Sequence, residues 1–257
     1  MGVGTEQGVG VYVYGLVPED VEVSDDALGV GDEPKELEVI RHGKVAALVS
    51  EVSLDRPLGT PDDLLRHEGL LDATAAEVPV LPLRFGGVLA SREAVVDELL
   101  APHHDEFAAA LKEMEGRAQY VVKGRYVEQT VLREVLEENP QAARLRDQIR
   151  DMGEDAARDA RIALGELVER AITAKRQTDT QMLLEALTPV SALSAVREPT
   201  HELDAVHLAL LVEKERQAKL EEVVGDFAER WAGRVEFRLL GPMAAYDFVM
   251  SSTPGGE

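Results

Sequence analysis

Apolar and polar positions follow two different rhythms along this chain. Val9 to Val17 (VGVYVYGLV) is rich in β-branched and aromatic residues and is closed by Pro18, which predicts a buried strand. Residues 18–36 are acidic and turn-rich, with little periodicity. From Leu37 to Val52 two apolar runs flank His42-Gly43, the pattern of a β-hairpin whose glycine takes the permissive turn position. The rhythm then turns helical. Thr60-Pro61-Asp62-Asp63 supplies an N-cap, a first-turn proline and two acids that complement the helix dipole. Leu64, Leu65, Leu70, Leu71 and Ala75 are the expected buried face. Val78 to Phe85 (VPVLPLRF) reads as a strand, and its two prolines argue for an edge position or irregular pairing. Ser91 opens another helix, with Val95, Val96, Leu99 and Leu100 as its apolar positions.

Near Glu113 to Gly116 the pattern resets. Gln119 to Val127 predicts a new strand, with a bulge at Gly124. From Gln141 to Lys175 apolar residues recur every three or four positions (Leu145, Ile149, Met152, Ala156, Ala160, Leu164, Leu167, Ala171), which places one stripe against a partner surface. Pro189 to Val196 and Leu203 to Val212 read as strands. Leu220, Val223, Val224, Phe227 and Trp231 have helical spacing, with Gly233 as the stop signal. Val235 to Leu240 closes as an alternating strand. The expectation is an α+β protein of two domains, residues 1–112 and 113–241, each a variant ferredoxin-like (split βαβ) antiparallel sheet with helices, followed by a C-terminal tail at 242–257.

Charge narrows the function. Among 257 residues, 49 are acidic and 27 basic, a net charge of −22. Such a body repels nucleic-acid phosphates and anionic lipid head groups, so neither nucleic-acid binding nor membrane insertion is expected. The acidity is uneven: residues 1–112 hold 22 acidic and 8 basic side chains, residues 113–257 hold 27 and 19. Cysteine is absent, which removes disulfides, zinc-thiolate sites and cysteine nucleophiles. The N-terminus lacks the basic and apolar regions of a secretory signal, and a cytoplasmic location is expected.

Candidate chemistry is sparse. His67-Glu68 starts like HExxH, but Leu71 stands where the second histidine is needed, so a helix-surface pair is the expectation. His103-His104-Asp105-Glu106 reads as a solvated helix face, since adjacent helical residues diverge. Gly2, Gly4, Gly8 and Gly10 precede the first strand, where a dinucleotide-binding turn would have to follow one, so they read as a leader. Asp25-Asp26, Asp62-Asp63 and Glu137-Glu138 are read as solvated charge. No catalytic residue, cofactor or metal ligand is assigned. Arg84, between the predicted strand and a turn, is expected to be partly enclosed in an ion pair, and the apolar tail GPMAAYDFVM either packs on its own domain or docks in a partner groove.

Three blocks carry a resemblance that covers most of the chain: YVYGLV at Tyr12 to Val17, VPVLPLRFG at Val78 to Gly86 with the VLAS that follows, and VEFRLLGPMAAYDFV at Val235 to Val249. In these the sequence resembles the gas-vesicle accessory proteins of the GvpL/GvpF type. It departs from them at Gly241 to Tyr246, where relatives often carry GPxPPY, and at Tyr120 to Gln129, where many have a tryptophan. The resemblance implies two α/β domains and a role in building gas vesicles, through contacts with the small hydrophobic shell protein and with other accessory proteins. Arg84, Phe85, Met243, Tyr246 and Phe248 are the candidate interaction residues, and the second domain with the tail is the expected site of client binding. An enzyme on a ferredoxin-like scaffold and a small-molecule-binding regulatory module are the competing readings.

Overall fold

The first strand, β1 (Val9–Pro18), runs through the middle of its sheet and is buried along almost its whole length, as its near-continuous apolar sequence requires. The computed structural model describes residues 8–24, 27–55, 57–153 and 157–249. The leader glycines Gly2 and Gly4, the pair Asp25-Asp26, Ala156 of the predicted stripe, and the tail beyond Val249 lie outside the described residues. The architecture is α+β, with two antiparallel sheets and flanking helices. The chain divides into two units, residues 1–119 with 241–257, and residues 120–240. The described part of the stretch after Gly241 thus groups with the N-terminal residues.

In the first unit, β2 (Glu38–His42) and β3 (Val45–Ser53) form the predicted hairpin, with Gly43 at φ 58° in the turn. The sheet order is β2-β3-β1-β4, and β5 (Val88–Leu89) also pairs with β1. β4 is only Leu81–Pro82, much shorter than the predicted 78–85 strand, because Pro79 and Pro82 cannot donate to a ladder. α1 (Pro61–Glu77) starts at the N-cap expected at Thr60, whose side chain accepts from the Asp63 amide; the Asp63 side chain accepts in return from the Thr60 amide and completes a capping box. Its buried face differs from the expected one. Asp63, His67, Leu71 and Ala75 point inward, while Leu64 and Leu65 are 40% and 66% exposed. α2 (Arg92–Ala94) continues as a π-helical turn through Leu100, and α3 (His104–Met114) completes the unit's helices before the C-terminal segment.

The second unit is entered along β6 (Arg117–Tyr126) and left along β9 (Val235–Met243). Its sheet order is β7-β8-β6-β9, with β7 (Leu193–Val196) and β8 (Asp204–Glu213) paired antiparallel. Where one long stripe is predicted, two helices stand: α5 (Pro140–Asp151) and α6 (Arg158–Leu187) follow α4 (Glu128–Glu138). Asn139 caps α5 by accepting from the Gln141 and Ala142 amides, and Pro140 takes the first helical position. The described stripe residues from Leu145 to Ala171 are half-buried, except for exposed Met152; α6 buries Ile172, Asp179, Leu183 and Leu187 further along, where it packs on β8. α7 (Gln217–Arg230) ends beside Trp231, and Gly233 adopts φ 74° just beyond it, as the stop signal predicts.

Candidate functional site

Two features of the first unit stand out, and both are built on α1. The first is a polar and aromatic knot around Tyr12. Its hydroxyl accepts from the Gly86 amide at 3.1 Å, and so it donates its proton to His67 Nδ1 at 3.0 Å. His67 Nε2 lies 3.2 Å from the Leu83 carbonyl, which can only accept, so the Nε2–H tautomer satisfies both ring nitrogens. This corrects the helix-surface expectation: His67 is 2% exposed, stacked on Tyr14 and edge-on to Tyr12 and Phe85. Burial lowers its pKa, only partly offset by the Leu83 carbonyl. Burial likewise pushes Tyr12 up to about 12.

The knot fixes the Leu83-to-Gly86 turn, and the C-terminal segment comes to the same place. α8 (Tyr246–Val249) packs on β4, and Phe85 and Tyr246 both lie against the core cluster that holds Tyr12, Tyr14 and Leu71. Asp72 of α1 accepts from the Ala244 amide at 2.9 Å. Gln119, fully buried, donates to Asp247 at 2.6 Å and accepts from the Asp247 amide at 3.0 Å; its Nε2 also sits 3.7 Å from the Met243 sulfur. The hydroxyl of Tyr246 is buried and has no hydrogen-bond partner among the described residues; burial first, then the nearby Asp72 and Glu68 carboxylates, raise its pKa. The candidate interaction residues are therefore brought together in two states. Arg84 is exposed, not enclosed as expected, because it lies past the end of the short β4, just before the turn at Phe85 and Gly86. Phe85, Met243, Tyr246 and Phe248 are half-buried.

The second feature is an apolar groove of about 690 Å³ between α1 and the 18–37 crossover. Val21, Val23, Ala27, Leu37, Leu48 and Leu70 form its floor, and most of these belong to or pack on the core. Asp20, Glu22 and Glu77 stand at its rim; Arg66 also lines it and points one guanidinium N–H at the Gly29 carbonyl, 3.5 Å away. No periodicity marks residues 18–36, so the groove was invisible to pattern reading; the signal available was the apolar trio Val21, Val23 and Ala27 within an acidic stretch. The row Asp63, His67, Leu71, Ala75, spaced by four, was the overlooked signal for the inner face of α1, because two of its members are polar.

Asp63 joins the crossover to α1. It is 2% exposed and accepts from the amides of Gly31 (3.0 Å), Gly59 (3.2 Å) and Thr60 (3.1 Å). Burial favours its neutral form, but the hydrogen bonds from Thr60, Gly59 and Gly31 outweigh burial and hold its pKa near about 2. Among the described residues no group of three or more histidine and acidic side chains is placed to hold a metal, and no helix is long and apolar enough to cross a membrane. His103 and His104, at the start of α3, are half-buried; His104 Nε2 accepts from the Lys44 amide at 3.0 Å, and Nδ1 meets Asp105 at 2.8 Å, which ties the ring to the hairpin turn.

The model of the family described as gas vesicle synthesis protein GvpL/GvpF matches residues 10–250. Gas vesicle protein F of Streptomyces sp. (strain CB03234) is 28% identical over 240 residues, 93% of this chain and 98% of that protein. Gas vesicle protein F of Dolichospermum flosaquae is 24% identical over 93% of this chain and 97% of its own length. Among solved structures, the crystal structure of gas vesicle protein GvpF from Anabaena sp. PCC7120 superposes with a TM-score of 0.76 at 22% identity, covering 93% of this chain and 98% of that one. That of GvpF from Microcystis aeruginosa gives 0.75 at 22% identity over the same shares. At these identities the structural likeness speaks for the fold.

Proposed function

The chain belongs to the gas vesicle synthesis protein GvpL/GvpF family, and on that premise we propose that it works in gas vesicle formation by binding, without catalysis. The partner at the groove is an apolar segment of the small hydrophobic shell protein. The observation that carries this reading is the groove itself: an apolar floor continuous with the core, open on one side, with three carboxylates at its edge. Such a site removes greasy surface from water, while the −22 charge of the whole chain keeps loaded molecules apart. The patch of Arg84, Phe85, Met243, Tyr246 and Phe248 is assigned to other accessory proteins, because it combines an exposed guanidinium with half-buried aromatic side chains.

This reading places a client site on the first unit, whereas the periodicity points to the second unit and tail. The tail residues Ala244 and Asp247 already satisfy Asp72 and Gln119, so deleting 242–257 would damage the first unit itself. A surface substitution is the cleaner test. Ala73 is exposed and lines the groove. With the shell protein presented as a maltose-binding-protein fusion, Ala73→Asp is expected to weaken binding by at least about tenfold, the equivalent of roughly 1.4 kcal/mol. Unchanged affinity with an intact fold would refute the groove assignment. Absence of any binding by the wild-type chain would refute the shell protein as partner.

A further inference from the structure

The second unit has a groove of its own with the same chemistry. It measures about 490 Å³ and runs along α6 beside α4 and the 199–203 turn. Leu132, Val168, Ile172 and Leu203 supply its apolar surface. Glu128, Glu169 and Glu202, all exposed, stand around it. Its arginine is also occupied: Arg176 donates Nε to the Asp204 carbonyl and Nη2 to the Glu202 carbonyl, each at 2.6 Å. Each unit thus pairs an apolar floor with three carboxylates and one guanidinium tied to backbone.

We infer that the second groove takes a second apolar segment flanked by lysine or arginine, of the same kind as the first, so that one chain holds two copies of its client. The inference rests on the reading of the first groove. Charge selects the occupant: three carboxylates around an apolar surface favour a segment with basic flanks and repel an acidic one such as another copy of this −22 chain. Two sites on one chain also raise the effective concentration of the second client, which suits a protein that gathers subunits. α6 contributes Val168 and Ile172 to this groove, each one position after a residue of the predicted stripe, Leu167 and Ala171.

The test is the stoichiometry of the full-length chain with the maltose-binding-protein fusion of the shell protein, measured by sedimentation velocity in about 50 mM salt. Two fusions per chain are expected for the wild type, and one each for Ala73→Asp and Val168→Asp. The triple change Glu128→Gln, Glu169→Gln, Glu202→Gln leaves the apolar surface intact, and is expected to weaken only the second binding step, by about tenfold. This variant serves if Val168→Asp does not fold. A single fusion, lost in Ala73→Asp and kept by both second-groove variants, overturns the second site and leaves the first standing. Two fusions retained by every variant overturn both grooves, and no complex at all overturns the binding reading altogether.

Discussion

The ring of His67 and the hydroxyl of Tyr12, 55 positions apart in sequence, form a 3.0 Å hydrogen bond that ties the middle of α1 to the central strand. Through the same two residues, Leu83 and Gly86 are held, and with them the turn that presents Arg84 and Phe85. The neutral ring satisfies every partner, whereas a proton on Nδ1 would face the Tyr12 O–H.

Acid should therefore loosen this knot. The folded state lowers the pKa of His67 from its ordinary 6.5, so between those values the unfolded chain holds more protons and stability rises with pH. The contribution is present above about 6.5 and is lost as pH falls toward the depressed folded value. Relative to the intrinsic exchange rate at each pH, protection of the amides of residues 12–17 is expected to fall between pH 7 and pH 5.5 in the wild type, and to lose that dependence in His67→Gln. His207 in the second unit, lowered chiefly by burial and further by Lys123 and Arg197, titrates in the same direction. A local probe is therefore needed, because a global melt would mix the two.

Asp63 makes a prediction of the same sign in a more acidic window. Its ionised carboxylate receives three backbone amides, so Asp63→Asn should destabilise the first unit by about 2–3 kcal/mol at neutral pH. Because the folded value lies near about 2 against an ordinary 3.8, the advantage over the asparagine variant should be full above about pH 4 and vanish as pH drops toward 2. Urea melts at pH 7 and pH 2.5 measure both.

The C-terminal segment should be separable into a clamp and a passenger. Gln119→Ala removes both hydrogen bonds to Asp247 and is expected to cost about 2 kcal/mol and to open the segment to a protease. Tyr246→Phe deletes a buried hydroxyl that has no partner among the described residues, and should be neutral or stabilising by up to about 1 kcal/mol. A large loss in the phenylalanine variant would contradict this assignment.

In the second unit, Asp179 receives the Tyr126 hydroxyl at 2.6 Å and Arg234 Nη2 at 2.7 Å, while Arg234 Nε reaches Glu134 at 3.0 Å. Asp179 and Tyr126 are buried, and Arg234 is largely so. Asp179→Asn should leave the guanidinium partly uncompensated and lower stability by about 3 kcal/mol, read from thermal or urea unfolding.

Local rules carried much of this fold. The hairpin around Gly43, the Thr60 cap, the Ser91 helix start and the stop at Gly233 were all legible, because each depends on backbone chemistry within a few residues. The inner face of α1 was not. Counting apolar residues selects Leu64 and Leu65, while the structure buries the row of Asp63 and His67, whose partners Gly31, Gly59, Tyr12 and Leu83 arrive from other segments. Gly59 lies within four residues of Asp63, but Gly31, Tyr12 and Leu83 are 16 to 55 positions from the side chains they meet, and no local window contains them.

What the sequence determines alone is many of the local starts and stops of the elements, the acidic character of the chain, and, through three short blocks, the family. What only tertiary structure decides is adjacency: that the 84–85 turn and the 243–248 segment share one corner, that residues 18–37 and α1 enclose a groove, and that α6 builds another on the second unit. The physical reason is range. Helix caps and turns are set by bonds spanning a few residues, whereas grooves arise from non-directional burial, which joins any apolar surfaces that chain topology can bring together.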